Sequence, residues 1–419
     1  MLFQIIGFLI FSLLLLGLDL YLYQAILAMR WFSGGSKKKH FTCTWWGYAA
    51  VTILLAVFIN RQFNVSEPVR EMFIANLFIA LTTKITFLAF VLLDDVRRGS
   101  VWLKRKLAPV KQQQIKPANP VENKITRSEF LLKTGALVAA VPLVSMSRGV
   151  LSGAYDYQVK HQVLYLPNLP KAFDGIRLGQ LSDIHSGSFY NQRAVLGGVE
   201  MLLQEKPDFI FFTGDLVNDR ASEMRDYQDI FSKVKAPLGV FSVLGNHDYG
   251  DYKLWESAAA KAKNLAAIKT THKNMGWDLL LNEHRSLKVD KEELAIIGIE
   301  NWGTGMATQY GRMDMAVKGT KDAPVKLLLS HDPSHWRAEV LPKYPQIDAT
   351  FSGHTHGMQL GVQTDHFQWS PIQYRYSEWA GLYQEQQQQL YVNVGYGFLE
   401  YPGRVGILPE ITVFELRCT

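Results

Sequence analysis

Residues 176–185 read Ile-Arg-Leu-Gly-Gln-Leu-Ser-Asp-Ile-His, a mostly apolar run that ends in two side chains able to bind a metal, Asp183 and His185. The same grammar recurs downstream. Residues 209–212 run into Thr213-Gly214-Asp215, 240–244 into Gly245-Asn246-His247-Asp248, 325–329 into Ser330-His331-Asp332, and 347–351 into Ser352-Gly353-His354-Thr355-His356. Short apolar runs separated by helix-length stretches predict a layered α/β domain over 157–419. In such sheets ligands gather at the carboxyl ends of strands, where loops vary while the sheet holds them in place.

The residue types are those of a metal site. Two divalent ions held about 4 Å apart need a carboxylate that touches both and neutral donors that limit the total charge. Asp215 is the natural bridge. Asp183-x-His185 and His354-x-His356 each place two ligands on one side of an extended chain. Gly214, Gly245 and Gly353 precede the ligands and permit sharp turns and close backbone approach. Any one of these motifs is common as an ordinary turn. Together they take five of the 11 histidines, in one consecutive order, and point to a single centre.

The ordered set Ser-Asp-Ile-His, Gly-Asp-Leu-Val-Asn, Gly-Asn-His-Asp, Ser-His-Asp-Pro and Gly-His-Thr-His-Gly resembles the calcineurin-like metallophosphoesterase superfamily. The closing residues 393–397 and 404–411 resemble its membrane-anchored bacterial branch. The resemblance implies a four-layer α-β-β-α sandwich of two mixed sheets flanked by helices. It further implies one ion on Asp183, His185, Asp215 and His356, and another on Asp215, Asn246, His331 and His354. A hydroxide bridging the ions would attack phosphorus in line with the leaving oxygen. His247 would then contact the phosphate and protonate or stabilise that oxygen, with Asp248 fixing and charging its ring. Asn218 is expected to lie just behind the site or to contact substrate. Mixed nitrogen and oxygen donors suit Mn, Fe or Zn.

Working back towards the amino terminus, the composition changes. Residues 1–150 hold 18 Lys and Arg against seven Asp and Glu, whereas the remainder holds 26 against 31. The basic excess thus travels with the apolar runs, which fits a membrane surface and gives no support to a nucleic-acid groove. Runs at about 2–23, 41–59, 72–93 and 130–146 predict three or four membrane-spanning helices before residue 150. Lys84 interrupts the third run with no carboxylate within a turn. Nine basic residues between Arg97 and Arg127 mark 97–127 as a cytoplasmic loop. The domain after the fourth run is then extracytoplasmic, in a multi-pass protein of the bacterial cytoplasmic membrane. Ser152-Gly153-Ala154 reads as a flexible linker or a small-residue cleavage site. Cys43 and Cys418 read as unpaired thiols.

An aromatic stretch, including Phe367, Trp369, Tyr374, Tyr376 and Trp379, follows the last two ligands. Trp369 and Trp379 are expected to wall the site for a phosphorylated lipid or lipid-linked envelope precursor that enters from the bilayer. Two other readings stay open: a cytoplasm-facing hydrolase of a nucleotide-diphospho lipid A precursor, and a catalytically inactive metal-binding sensor.

Overall fold

The structure is a computed structural model that describes residues 2–29, 35–60, 67–107, 125–305, 307–364 and 366–418, apart from the side chains of 2–5, 8, 57–60, 67, 68 and 71. The chain divides into two compact units, Met1–Ser147 and Arg148–Thr419.

The first unit is built from α1 (Leu2–Leu27), α2 (Gly35–Asn60), α3 (Glu67–Leu107) and most of α4 (Arg127–Leu151). Three segments, Leu9–Leu27, Met72–Leu107 and Arg127–Leu151, are long and apolar enough to cross a membrane. The expected second span, 41–59, falls on α2, but the side chains of its last residues lie outside those described. Leu22, Phe87, Val91, Leu132 and Ala139 pack inwards, while Leu13, Leu14, Leu54, Leu137 and Val144 face outwards and are largely exposed. Apolar on both sides is the pattern of helices solvated by lipid. The third helix continues beyond the expected end at 93. Arg97 bonds back to Asp94 three residues earlier, and Lys104, Arg105 and Lys106 stand in the last turn, where basic charge favours the helix dipole. The expected loop 97–127 is therefore helical to Leu107, and 108–124 lie outside the described residues. Lys84 finds its partner on another helix, with its Nζ 2.7 and 2.9 Å from the carboxylate oxygens of Asp19.

The second unit contains β1 (Gln158–Tyr165), β2 (Arg177–Leu181), β3 (Phe209–Phe212), β4 (Val240–Ser242), β5 (Asp278–Leu279), β6 (Glu283–Val289) and β7 (Glu292–Gly298). Then follow β8 (Lys326–Leu329), β9 (Ala349–Ser352), β10 (Val362–Gln363), β11 (Gln368–Trp369), β12 (Gly381–Glu385), β13 (Gln388–Val392) and β14 (Glu410–Arg417). One six-stranded sheet has the order β1-β14-β2-β3-β4-β5 and the other β12-β13-β9-β8-β7-β6. Both are mixed: β14 is antiparallel to β2, and β6 to β7, among otherwise largely parallel neighbours.

Alternation along the strands creates the layers. Phe209 and Phe211 of β3 join Leu294 and Ile296 of β7 and Phe351 of β9 in a core between the sheets. Ile210 and Phe212 point the other way, onto Val195, Val199 and Leu202 of α5 (Gln192–Gln204). Behind the second sheet, Ala295, Ile297 and Leu328 pack on Trp336 and Val340. The result is helix, sheet, sheet, helix. Residues 153–155 form a helical turn with Gly153 and Ala154 buried, and the Arg404 carbonyl lies where a Gly153 side chain would stand. The stretch expected to be a linker or cleavage site is thus packed into the domain.

Candidate metal centre

The apolar runs end where β2, β3, β8 and β9 stop, and the ligand-type residues occupy the loops immediately beyond. Their spacing works differently from the alternation expected of extended chain. Asp183, His185, Asp215, His354 and His356 all have positive φ, between 48° and 74°. Such conformations are costly for residues with a Cβ and persist when surrounding bonds impose them. Here neighbouring loops supply those bonds: the Asp183 N–H donates to the Gly214 carbonyl, His185 N–H to Asp215, and Gly353 N–H to His331. Two glycines are required by side-chain crowding as well. A Cβ on Gly245 would run into Asp215 Oδ1, and one on Gly353 into Ser182 Oγ and Asp183 Oδ2.

Two groups of donors result, Asp183 with His185 and His356, and Asp215 with His331 and His354. Within each, the donor atoms lie within 4.8 Å of one another. His356 Nε2 is 3.2 Å from Asp183 Oδ1. Asp215 Oδ2 is 3.5 Å from His185 Nε2 and 3.1 Å from His331 Nε2. Asn246 Oδ1 lies 2.8 Å from His354 Nδ1 and 3.1 Å from His331 Nε2. His185 Nε2 and His356 Nε2 are buried without any hydrogen-bond partner among the described residues. Buried imidazole nitrogens left unpaired beside carboxylates are what a divalent cation would satisfy.

The far side of each ring fixes which nitrogen faces the centre. His331 Nδ1–H donates to the Thr213 carbonyl at 2.7 Å, leaving Nε2 as donor to a metal. His185 Nδ1 faces Asn218 Oδ1 at 3.2 Å. His354 is turned round, with Nε2 2.8 Å from the Tyr376 hydroxyl and 3.6 Å from Asp332 Oδ2, so that Nδ1 faces inwards. The electrostatics agree. Burial pushes His185 well below its ordinary value. Burial would raise Asp183 and Asp215, but the surrounding imidazoles, His356 for the first and His331 for the second, hold both carboxyls low. Burial also disfavours charge on His331, yet Asp215 pushes it up to about 10. A proton there stands where the charge of a cation would act.

Two family models match the chain: residues 4–154 fit the one described as "Probable Calcineurin-like phosphoesterase, transmembrane domain", and 176–358 the one described as "Calcineurin-like phosphoesterase". The chain belongs to the calcineurin-like phosphoesterases. This phosphoesterase is 27% identical over 312 residues to the uncharacterized metallophosphoesterase YkuE of Bacillus subtilis, a match covering 71% of this chain and 99% of that one. It is 24% identical over 294 residues to the phosphodiesterase YaeI of Escherichia coli, covering 70% and 99%. The UDP-2,3-diacylglucosamine pyrophosphatase LpxG of Chlamydia trachomatis is 28% identical over 235 residues, covering 46% and 68%. The present chain is a membrane protein and a metal-dependent phosphoester hydrolase.

Several residues of the phosphoesterase stand differently from the sequence-based expectation. Asp248 does not touch the His247 ring. Its carboxylate is fully buried and accepts the backbone N–H groups of Asp215, Leu216, Val217 and Gly245, lashing the loops after β3 and β4 together. The His247 ring, edge-on to His185 with centroids 4.9 Å apart, instead donates from Nδ1 to the Asn218 carbonyl at 2.9 Å. The Asn218 side chain is taken up by His185 and Ser188. Trp369 is partly exposed on the β10–β11 hairpin, whereas Trp379 is buried with Val394 and Ile407. Tyr376 reaches His354, a candidate ligand, where Trp379 was expected to line the site. Sequence reasoning missed Tyr376, which nothing in its spacing distinguishes from its aromatic neighbours. It also passed over Asp332, although that residue directly follows His331.

Proposed function

We propose that the protein is a membrane-anchored phosphoesterase with a two-ion centre, one ion on Asp183, His185, Asp215 and His356, the other on Asp215, Asn246, His331 and His354. The observation that carries this reading is the position of Asp215, whose Oδ2 lies within 3.5 Å of a ligand nitrogen on each side. Mn, Fe or Zn each suit the donor set. Bound there, such ions supply Lewis acidity and lower the pKa of water. The chain's own residues supply the rest. The Asn218 carbonyl holds the proton on His247 Nδ1, so Nε2 is the nitrogen that meets substrate and exchanges a proton with the leaving oxygen. Asn218, Tyr376 and Asp332 keep the ligand rings turned inwards, and Asp248 maintains the distance between the Asp215 and Asn246 loops. His247→Ala should keep its full metal content by elemental analysis and lose about 10²–10⁴-fold in turnover of an aryl phosphodiester. Unchanged turnover would refute the role.

For the substrate we favour a phosphorylated lipid or lipid-linked envelope precursor. Met358, Phe367, Trp369 and Tyr374, in the segment following His356, are exposed apolar or aromatic side chains, and the same chain carries helices long and apolar enough to cross a membrane. Trp369→Ala should reduce hydrolysis of a phospholipid in mixed micelles while sparing a soluble phosphodiester; equal losses on both would count against a lipid. The nine basic residues of 97–127 support an extracytoplasmic domain. LpxG, by its name a nucleotide-lipid pyrophosphatase, favours a second reading, a cytoplasm-facing enzyme. A compartment-sensitive reporter fused after Lys160 separates the two. Retention of the whole donor set argues against an inactive sensor, and hydrolysis of a generic diester with added manganese checks it.

A further inference from the structure

Within the first unit lies a cavity of about 530 Å³ lined by residues of all four helices. That volume is ordinary for a small-molecule site. Its walls are mainly Leu, Ile, Phe and Ala side chains, with a narrow α4 face of Ala136, Ala139 and Ala140 that leaves the room. Its polar patch is unusual. Lys84 and Asp19 meet there, and the Lys84 ammonium also lies 5.9 and 5.8 Å from the rings of Trp45 and Tyr48. Lys84 is about halfway along the apolar run 72–93, so this pair belongs to the hydrocarbon layer rather than to its margin. Ionisable groups at such depth are expensive and mark functional sites by default.

The hydrogen-bond inventory says what chemistry the cavity lacks. Asp19 accepts from Lys84 through both oxygens, so the pair is neutral as a unit and no net charge is left to attract an ion. The Tyr48 hydroxyl donates to Asn76 Oδ1 at 3.1 Å. Trp45 Nε1 and Thr83 Oγ1 are buried without a partner among the described residues, and an ammonium has three N–H donors, of which Asp19 engages two. The indole nitrogen can only donate. Unmet donors therefore outnumber unmet acceptors, in surroundings where each unsatisfied group is costly.

We infer that this cavity binds a neutral lipid through a carbonyl oxygen that accepts from Trp45, Thr83 or Lys84, with its chain between the alanine face of α4 and the opposing aromatic residues. The carbonyl comes either from an acyl ester or from a quinone, and the two sources are separable. Full-length protein in dodecyl maltoside, which has no carbonyl, is titrated with monopalmitoylglycerol, with a decyl benzoquinone, and with hexadecylglycerol, the ether that lacks the carbonyl. Native mass spectrometry and thermal unfolding report binding. One of the carbonyl probes should bind saturably at one per chain, with the ether about fivefold weaker for each hydrogen bond lost. Trp45→Phe should weaken the preferred probe about fivefold and leave the ether unchanged, and Ala140→Phe should abolish binding by filling the cavity. If Ala140→Phe does not fold, Trp45→Phe and Thr83→Val carry the test. Equal binding of ether and carbonyl probes, no saturable binding of either carbonyl probe, or undiminished binding in a folded Ala140→Phe variant would overturn the assignment.

Discussion

Asp248 accepts four backbone N–H groups from two different loops, which makes it a structural acceptor within the Gly-Asn-His-Asp motif. Removing it strands buried donors at about 1–3 kcal/mol each. Asp248→Ala should therefore cost at least ~3 kcal/mol in unfolding free energy, measured by denaturant titration. A loss of turnover at unchanged stability would contradict this view. His272 offers a second single-residue test. It is fully buried on α7, the helix Ala258–Met275 that follows the short α6, Gln228–Phe231. Its Nδ1 is 3.0 Å from Ser242 Oγ, and burial pushes it down to about 3 from 6.5. The unfolded chain takes up a proton that the folded one resists. Stability from this residue is thus complete above pH 6.5 and falls as pH drops towards 3, by up to ~1.4 kcal/mol per pH unit. His272→Phe should flatten that limb of the stability curve by about one proton; an unaltered slope would assign the effect elsewhere.

The strands were legible because each apolar run is followed at once by Ser, Thr or Gly, and β2, β3, β4, β8 and β9 stop within two residues of where the hydrophobicity stops. The loop conformations between them were not. A positive φ at Asp183, His185, Asp215, His354 and His356 is imposed by partners from other loops, and no local preference encodes it. The two tryptophans make the same point. Trp379 and Trp369 look alike in sequence, but Thr355 Oγ1 donates to the Trp379 carbonyl and the Trp379 ring packs under Gly357. Trp379→Ala should cost about 3–5 kcal/mol of stability, and Trp369→Ala, on the exposed hairpin, no more than about 1 kcal/mol. Thermal unfolding of the two variants side by side checks the contrast.

Across the whole chain, composition alone separates a lipid-solvated half from a catalytic half, and the structure adds the Asp19–Lys84 pair that joins α1 to α3. Breaking a buried pair from one side leaves an uncompensated charge. Asp19→Asn should cost about 3–5 kcal/mol, whereas combining Asp19→Leu with Lys84→Met should be near neutral; detergent-solubilised protein compared by thermal unfolding would show a much smaller loss for the double variant. From sequence alone came the membrane half, the layered α/β class and the candidate ligand residues that the fold gathers, because hydrophobic period and side-chain chemistry are properties of neighbours along the chain. Tertiary structure decided that Asp248 ties loops together instead of charging His247, that Tyr376 and Asp332 orient His354, and that Lys84 is paired. Each of those depends on hydrogen bonds or charges between segments far apart in the chain, which no local pattern records.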